Sequence, residues 1–126
     1  MRVLLVDDEV ELVSTLAERL SIRGIHADWV TSCEDALEKL KTEKYDLAVL
    51  DVKIPRISGI ELGKRLKEKD PEMEFIFMTG HGSEEDYKAG TAEAGTEYYL
   101  VKPVNIDVLI NKMNEVVKGK GGPNEL

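Results

Sequence analysis

The chain has little cysteine, no long apolar run and no excess of basic over acidic residues, and each of these excludes a class of protein. Cys33 is its one cysteine, so no internal disulfide can form, and Met1 leads straight into a short strand-like run rather than a signal peptide. A reducing, cytoplasmic setting is the expectation. The longest apolar runs, Val3 to Val6 and Leu47 to Leu50, fall far short of the roughly 20 residues that a membrane-spanning helix requires. A soluble protein with no membrane partner is expected. Lys and Arg total 17 against 25 Asp and Glu, a net charge of -8. Such an acidic surface repels nucleic-acid phosphates and argues against direct nucleic acid binding. With 126 residues, 42% of them hydrophobic, the chain has the size of one ordinary domain around one core.

What is present is an alternation of short apolar, β-branched runs with longer amphipathic ones, the pattern of βα units that build a parallel sheet. Strands are expected at Arg2–Val6, His26–Val30, Asp46–Leu50, Glu74–Met78 and Tyr98–Val101. The unbroken apolar character of the first and third implies burial on both faces, which helices on both sides must provide. The first helix is expected over Val10–Arg23, with Leu12, Val13, Leu16, Ala17 and Leu20 in one stripe and Gly24 as its left-handed terminus. Ser32 caps a second helix, with Asp35 three residues on and a stripe of Ala36, Leu37 and Leu40, ending near Thr42. A capping box of Ser58 and Glu61 opens a third, which runs to about Lys69 and stops before Asp70 and Pro71. Ser83 and Asp86 are caps for a fourth through about Ala94, although Gly90 inside it costs about 1 kcal/mol relative to alanine. Asn105 or Ile106 begins a fifth helix, with Val108, Leu109, Met113, Val116 and Val117 on its apolar side. The domain thus covers residues 1–118, and 119–126 read as a flexible tail or the start of a linker.

The residues just beyond the strand ends carry the chemistry. Asp7 and Asp8 follow the first strand, Asp51 the third, Thr79 the fourth and Lys102 the fifth. In an open parallel sheet these ends line one crevice, so five residues distant in sequence become neighbours. Three carboxylates held close repel one another unless a cation or protons compensate them. Oxygen-only ligands favour magnesium, held by carboxylates, a backbone carbonyl near Lys53 and waters. A carboxylate such as that of Asp51 can attack phosphorus and carry it as an acyl phosphate, provided that charge on the equatorial oxygens is neutralised. The cation and Lys102 can supply that, and the Thr79 hydroxyl can donate to the same oxygens.

These residues resemble a known family, the receiver domains of two-component response regulators. The matching pieces are Val6, Asp7, Asp8 and Glu9; Asp51 followed by Pro55 and Gly59; Met78 and Thr79; and Tyr99, Leu100, Val101, Lys102 and Pro103. The resemblance spans nearly the whole chain, to about Lys118. It implies a flavodoxin-like, doubly wound sheet in the order 2-1-3-4-5 flanked by five helices, and a cis Lys102–Pro103 peptide that aims the ammonium into the site. It implies that a sensor histidine kinase or phosphotransfer protein phosphorylates Asp51, with Mg2+ ligated directly by Asp8 and Asp51 and through water by Asp7. It further implies that Thr79 and Tyr99 move together on phosphorylation. That motion alters the face of the fourth helix, fifth strand and fifth helix, and so controls a downstream output domain or protein; a phosphorylation-dependent homodimer is compatible with it. Such a protein is a signalling switch that catalyses only its own phosphorylation and dephosphorylation. Two departures stand out. The interval from Thr79 to Lys102 is one residue longer than the family pattern and contains Gly90 and Gly95, so an irregular output face is expected; and Ile54 stands where the family usually has methionine.

Singly, each residue has a plainer reading. Asp7 and Asp8 suit a helix start, Asp51 a turn, Lys102 a solvated loop and Tyr99 core packing. Their convergence outweighs those readings. His26 and His81 lack partners at ligand spacing, and Gly119 to Gly122 lacks the Lys-Ser or Lys-Thr ending of a phosphate-binding loop. Two alternatives remain at this level. One is a magnesium-dependent phosphohydrolase with Asp7 as nucleophile and Glu9 as acid, for which the chain is too short to carry a substrate cap. The other is a receiver-shaped interaction module that is never phosphorylated.

Overall fold

The computed structural model describes residues 1–54, 56–80 and 99–121. The apolar runs form five parallel strands: β1 (Arg2–Val6), β2 (His26–Val30), β3 (Leu47–Asp51), β4 (Glu74–Thr79) and β5 (Tyr99–Val101). Their order is β2-β1-β3-β4-β5, the expected doubly wound arrangement. Val6 of β1 pairs with Val30 of β2 and Leu50 of β3, while Asp51 pairs with Met78 of β4. This register brings the carboxyl ends of the central strands level.

Successive side chains of a strand point to opposite faces, and each face meets its own helices. Leu4, Val6, Ala48 and Leu50 face α2 (Cys33–Lys39) and α3 (Gly59–Lys69), which contribute Ala36, Leu62 and Leu66 to that side of the core. Val3, Leu5, Leu47 and Val49 face α1 (Val10–Ile22) and the C-terminal helix α4 (Ile106–Gly121), which contribute Val13, Leu20, Leu109 and Met113. Val3 to Val6 of β1 are wholly buried, as a central strand requires. Each such side chain contributes about 1.5–3 kcal/mol on burial.

The helix ends follow local chemistry. Ser32 Oγ accepts the Asp35 N–H and Ser58 Oγ accepts that of Glu61, both at 3.1 Å. Gly24 adopts φ +82 beyond α1, and the Ile25 N–H returns to the Leu20 carbonyl at 3.0 Å, closing the helix. Beyond Lys39 the amides of Lys41 and Thr42 bond back only three residues, at 3.1 and 3.2 Å, so α2 ends in a tighter turn before the expected Thr42. Leu12 and Val108, placed by the pattern on inner stripes, are instead 37% and 48% exposed. Each immediately precedes a fully buried residue, Val13 or Leu109, and neighbours on a helix lie about 100° apart, so the earlier one turns to the rim. The expected fourth helix, with Ser83, Asp86, Gly90 and Gly95, lies outside the described residues, as do Pro55, His81 and Tyr98. Gly119 to Gly121, where the sequence suggests a tail, belong to α4.

At the amino end of the sheet a charged cluster ties β1 to the segment entering β3. The Arg2 guanidinium donates to Glu43 at 2.6 Å and to the Lys44 carbonyl at 2.9 Å, and lies 5.1 Å from the centre of the Tyr45 ring. The Arg2 amide donates to Asp46 at 2.9 Å, and the buried Tyr45 hydroxyl donates to Asp28 Oδ2 at 2.6 Å. Burial acts to raise the Asp28 pKa, but the Tyr45 hydroxyl, Lys39, His26 and Arg2 outweigh it and hold the carboxyl below its ordinary value.

Candidate functional site

At the opposite end of the sheet, β1 delivers Asp7 and β3 delivers Asp51, and the pairing of these strands makes them neighbours. Asp7 and Asp51 are buried, while Asp8 is exposed at the rim. One carboxylate oxygen from each of the three lies within 4.8 Å of the others. Burial, followed by repulsion from Asp7, pushes the Asp51 pKa above its ordinary value, against the pull of Lys102 and the Lys53 amide.

The backbone holds both buried carboxylates in place. Asp7 Oδ1 accepts the Glu9 N–H at 3.0 Å, and Asp51 Oδ1 accepts the Lys53 N–H at 3.3 Å. The loop after Asp51 is drawn tight by the Gly59 amide, which donates to the Val52 carbonyl at 2.8 Å. A Cβ on Gly59 would collide with the carbonyl oxygen of Asp51, so only glycine lets α3 start this close behind the acidic residue.

Lys102 follows β5, its amide donating to the Thr79 carbonyl at 2.8 Å, and the Lys102–Pro103 peptide is cis. Its ammonium lies 2.7 Å from Asp7 Oδ2, 3.1 Å from Glu9 Oε1 and 3.2 Å from Asp51 Oδ2. Burial acts to lower the Lys102 pKa, but these carboxylates outweigh it and the net shift is upward. The Asp7 contact is an ion pair whose angles fall outside those of a regular hydrogen bond, so the buried Oδ2 relies on the ammonium alone. Three carboxylates with an oxygen each inside 4.8 Å, two of them buried and sharing one ammonium, fit a hard cation with oxygen ligands, of which Mg2+ is the small, water-retaining example.

Thr79 ends β4 next to the register partner of Asp51, and its buried hydroxyl donates to the Gly80 carbonyl at 3.1 Å. Lys53 is exposed at the rim, with its amide on Asp51. Tyr99 opens the edge strand β5, pairs with Phe77 and is 40% exposed, which is not a core position. Sequence reasoning assigned no physical task to Gly59 and no partner to Glu9. A glycine at the start of a capped helix was the available signal for the first; the second has no local signal, since Glu9 and Lys102 meet only through the fold.

Together these features define a doubly wound α/β protein with a lysine-bridged acidic crevice at the carboxyl ends of its strands. Residues 3–114 match the model of the response regulator receiver domain, and the chain belongs to that family. It is similar to the two-component response regulator PhoP of Pseudomonas aeruginosa, with 32% identity over 122 residues, 97% of this chain and 54% of the relative. The alkaline phosphatase synthesis transcriptional regulatory protein PhoP of Bacillus subtilis is 36% identical over 102 residues, 81% of this chain and 42% of that protein. The chain therefore spans about half the length of these curated relatives. Among solved structures, the CheY-like response regulator receiver domain protein of Methanospirillum hungatei JF-1 matches with a TM-score of 0.87 at 29% identity, over 95% of each chain. Receiver domains are signalling switches that bind Mg2+ at an acidic pocket, and response regulators work with histidine kinases and output domains. Among the described residues no helix is long and apolar enough to cross a membrane.

Proposed function

We propose that Asp51 accepts a phosphoryl group from a phosphohistidine of a partner kinase or phosphotransfer protein in a Mg2+-dependent reaction. The observation that carries this reading is the buried Asp51 carboxylate, held beside Asp7 and Asp8 and touched by the Lys102 ammonium. A carboxylate oxygen of Asp51 attacks phosphorus; an O–P bond forms, the P–N bond breaks, and the imidazole leaves. Lys102 turns from its carboxylates to the phosphoryl oxygens, and the Thr79 hydroxyl rotates to donate to the same group. Asp8 and Asp51 directly, Asp7 through water and the Lys53 carbonyl would hold Mg2+, which supplies compensating positive charge for the phosphoryl oxygens.

The same reading assigns the output. Displacement of Thr79 is transmitted to Tyr99 on β5, and the surface of β5 and α4 passes it to an output domain, a partner protein or a second copy of the chain. The phosphoryl group is later lost by hydrolysis of the acyl phosphate at the same site. The chain acts in the cytoplasm without touching nucleic acid itself.

Intact-mass spectrometry after incubation with acetyl phosphate and magnesium tests the central step. One phosphoryl group per chain is expected for the wild type and none for Asp51→Asn; equal uptake by the two proteins sinks the proposal. Beryllofluoride with magnesium should shift the NMR signals of Tyr99 in the wild type alone.

A further inference from the structure

Glu9 sits at the N-cap of α1, where short polar side chains are favoured because they reach back to the first free amides. Its side chain makes no such bond. Oε1 instead lies 3.1 Å from Lys102 Nζ, a partner 93 residues away in sequence. Two buried carboxylates, Asp7 at 2.7 Å and Asp51 at 3.2 Å, already hold that ammonium. A third is not needed to anchor it. Unlike the other two, the Glu9 side chain is 62% exposed, on the solvent side of the ammonium that the buried carboxylates hold.

We infer that Glu9 is a specificity-determining residue of this site: its carboxylate at the mouth repels phosphoryl donors in proportion to their negative charge, favouring donors with a cationic leaving group over free dianions. This rests on Asp51 being the acceptor. A dianion such as acetyl phosphate meets Glu9 unscreened by any charge of its own. Phosphoramidate, whose nitrogen carries a proton and whose net charge at neutral pH is that of a monoanion, meets roughly half the repulsion. The reaction balances in both cases: an Asp51 O–P bond forms while P–O breaks and acetate leaves, or P–N breaks and ammonia leaves. In either case Lys102 is released from Glu9 to the phosphoryl oxygens.

The test compares second-order phosphorylation rate constants for the two donors, at saturating magnesium and low ionic strength, in wild type, Glu9→Gln and Glu9→Asp. Removing one unit charge near the donor path should accelerate acetyl phosphate about fivefold and phosphoramidate about twofold. Glu9→Asp should keep the wild-type ratio, and added salt should collapse the difference between donors. Without magnesium, the side-chain ammonium signal of Lys102 should move in Glu9→Gln but not in a surface control, Glu38→Gln. An unchanged donor ratio, or equal slowing with both donors, overturns the inference while leaving Asp51 as the acceptor. Phosphoryl uptake that does not depend on Asp51 overturns the acceptor reading and this inference together.

Discussion

The two ends of the sheet each carry a cluster of acidic residues around one cation, and they solve the electrostatic problem in opposite ways. At the amino end, Arg2 is met by Glu43, Asp46 and the Lys44 carbonyl, and Asp28 receives the Tyr45 hydroxyl, so each carboxylate has a donor. At the carboxyl end, Asp7 and Asp51 are buried and share one ammonium with Glu9, so three carboxylates divide a single positive charge. Asp28 is held below its ordinary pKa and Asp51 above it. Satisfied charge holds the fold together, whereas surplus negative charge held rigidly is a demand for a ligand.

The largest effect expected from a single change tests how rigid that surplus is. Gly59→Ala places a methyl against the Asp51 carbonyl and should cost about 2 kcal/mol of unfolding free energy. Phosphoryl uptake should slow with it. Full tolerance in a denaturant titration would mean that the acidic end is as yielding as a surface loop, and the contrast would weaken.

Removing one donor at the satisfied end comes next. Tyr45→Phe strips the hydroxyl from Asp28 and should cost about 1.5 kcal/mol, with phosphoryl uptake unchanged. A neutral result would show that the amino-end cluster is as dispensable as an exposed ion pair. Asp7→Asn should have the reverse sign: relief of repulsion stabilises the metal-free protein by about 1 kcal/mol, while stabilisation by added magnesium disappears. Thermal melts with and without magnesium read both effects, and destabilisation of the metal-free variant would show that Asp7 is a needed partner of Lys102 and not surplus charge.

The smallest effect is a pair of opposing pH slopes in metal-free protein. Burial and then Asp7 raise the folded-state pKa of Asp51 above its ordinary value of 3.8, so the folded state binds the proton more tightly. As pH climbs from 3.8 through that raised value, stability falls, and Asp51→Asn should remove the falling component. Asp28 is depressed below 3.8, because the Tyr45 hydroxyl and nearby cations outweigh its burial. Its contribution is complete above 3.8 and is lost as pH falls through the folded-state value, and Asp28→Asn should flatten that loss. Urea unfolding across this range distinguishes the two, and slopes of the same sign would refute the contrast.

How much of this was legible in the sequence depends on whether a feature is local. Strand runs, the Ser32 and Ser58 caps and the Gly24 terminus are written within a few residues and were placed correctly. So was the gathering of Asp7, Asp8, Asp51 and Lys102, because parallel strands leave little choice about which ends meet. Leu12 and Val108 were misplaced, since hydrophobicity alone does not fix the centre of a buried arc to within one residue. The end of α2 was overrun because its final turn tightens rather than stops. The cluster of Arg2, Asp28 and Tyr45, and the pairing of Glu9 with Lys102, depend on contacts across the sheet for which no short stretch of sequence carries a mark.

Lys102 stands at the end of β5, a strand of three residues on the margin of the sheet, yet its ammonium reaches past β4 and β3 to a carboxylate beyond β1. The tether joins a buried central strand to one at the edge. Among the described residues that edge strand is held by three backbone pairs, all to β4. The centre and the border of the sheet are thus joined by one side chain as well as by backbone pairing.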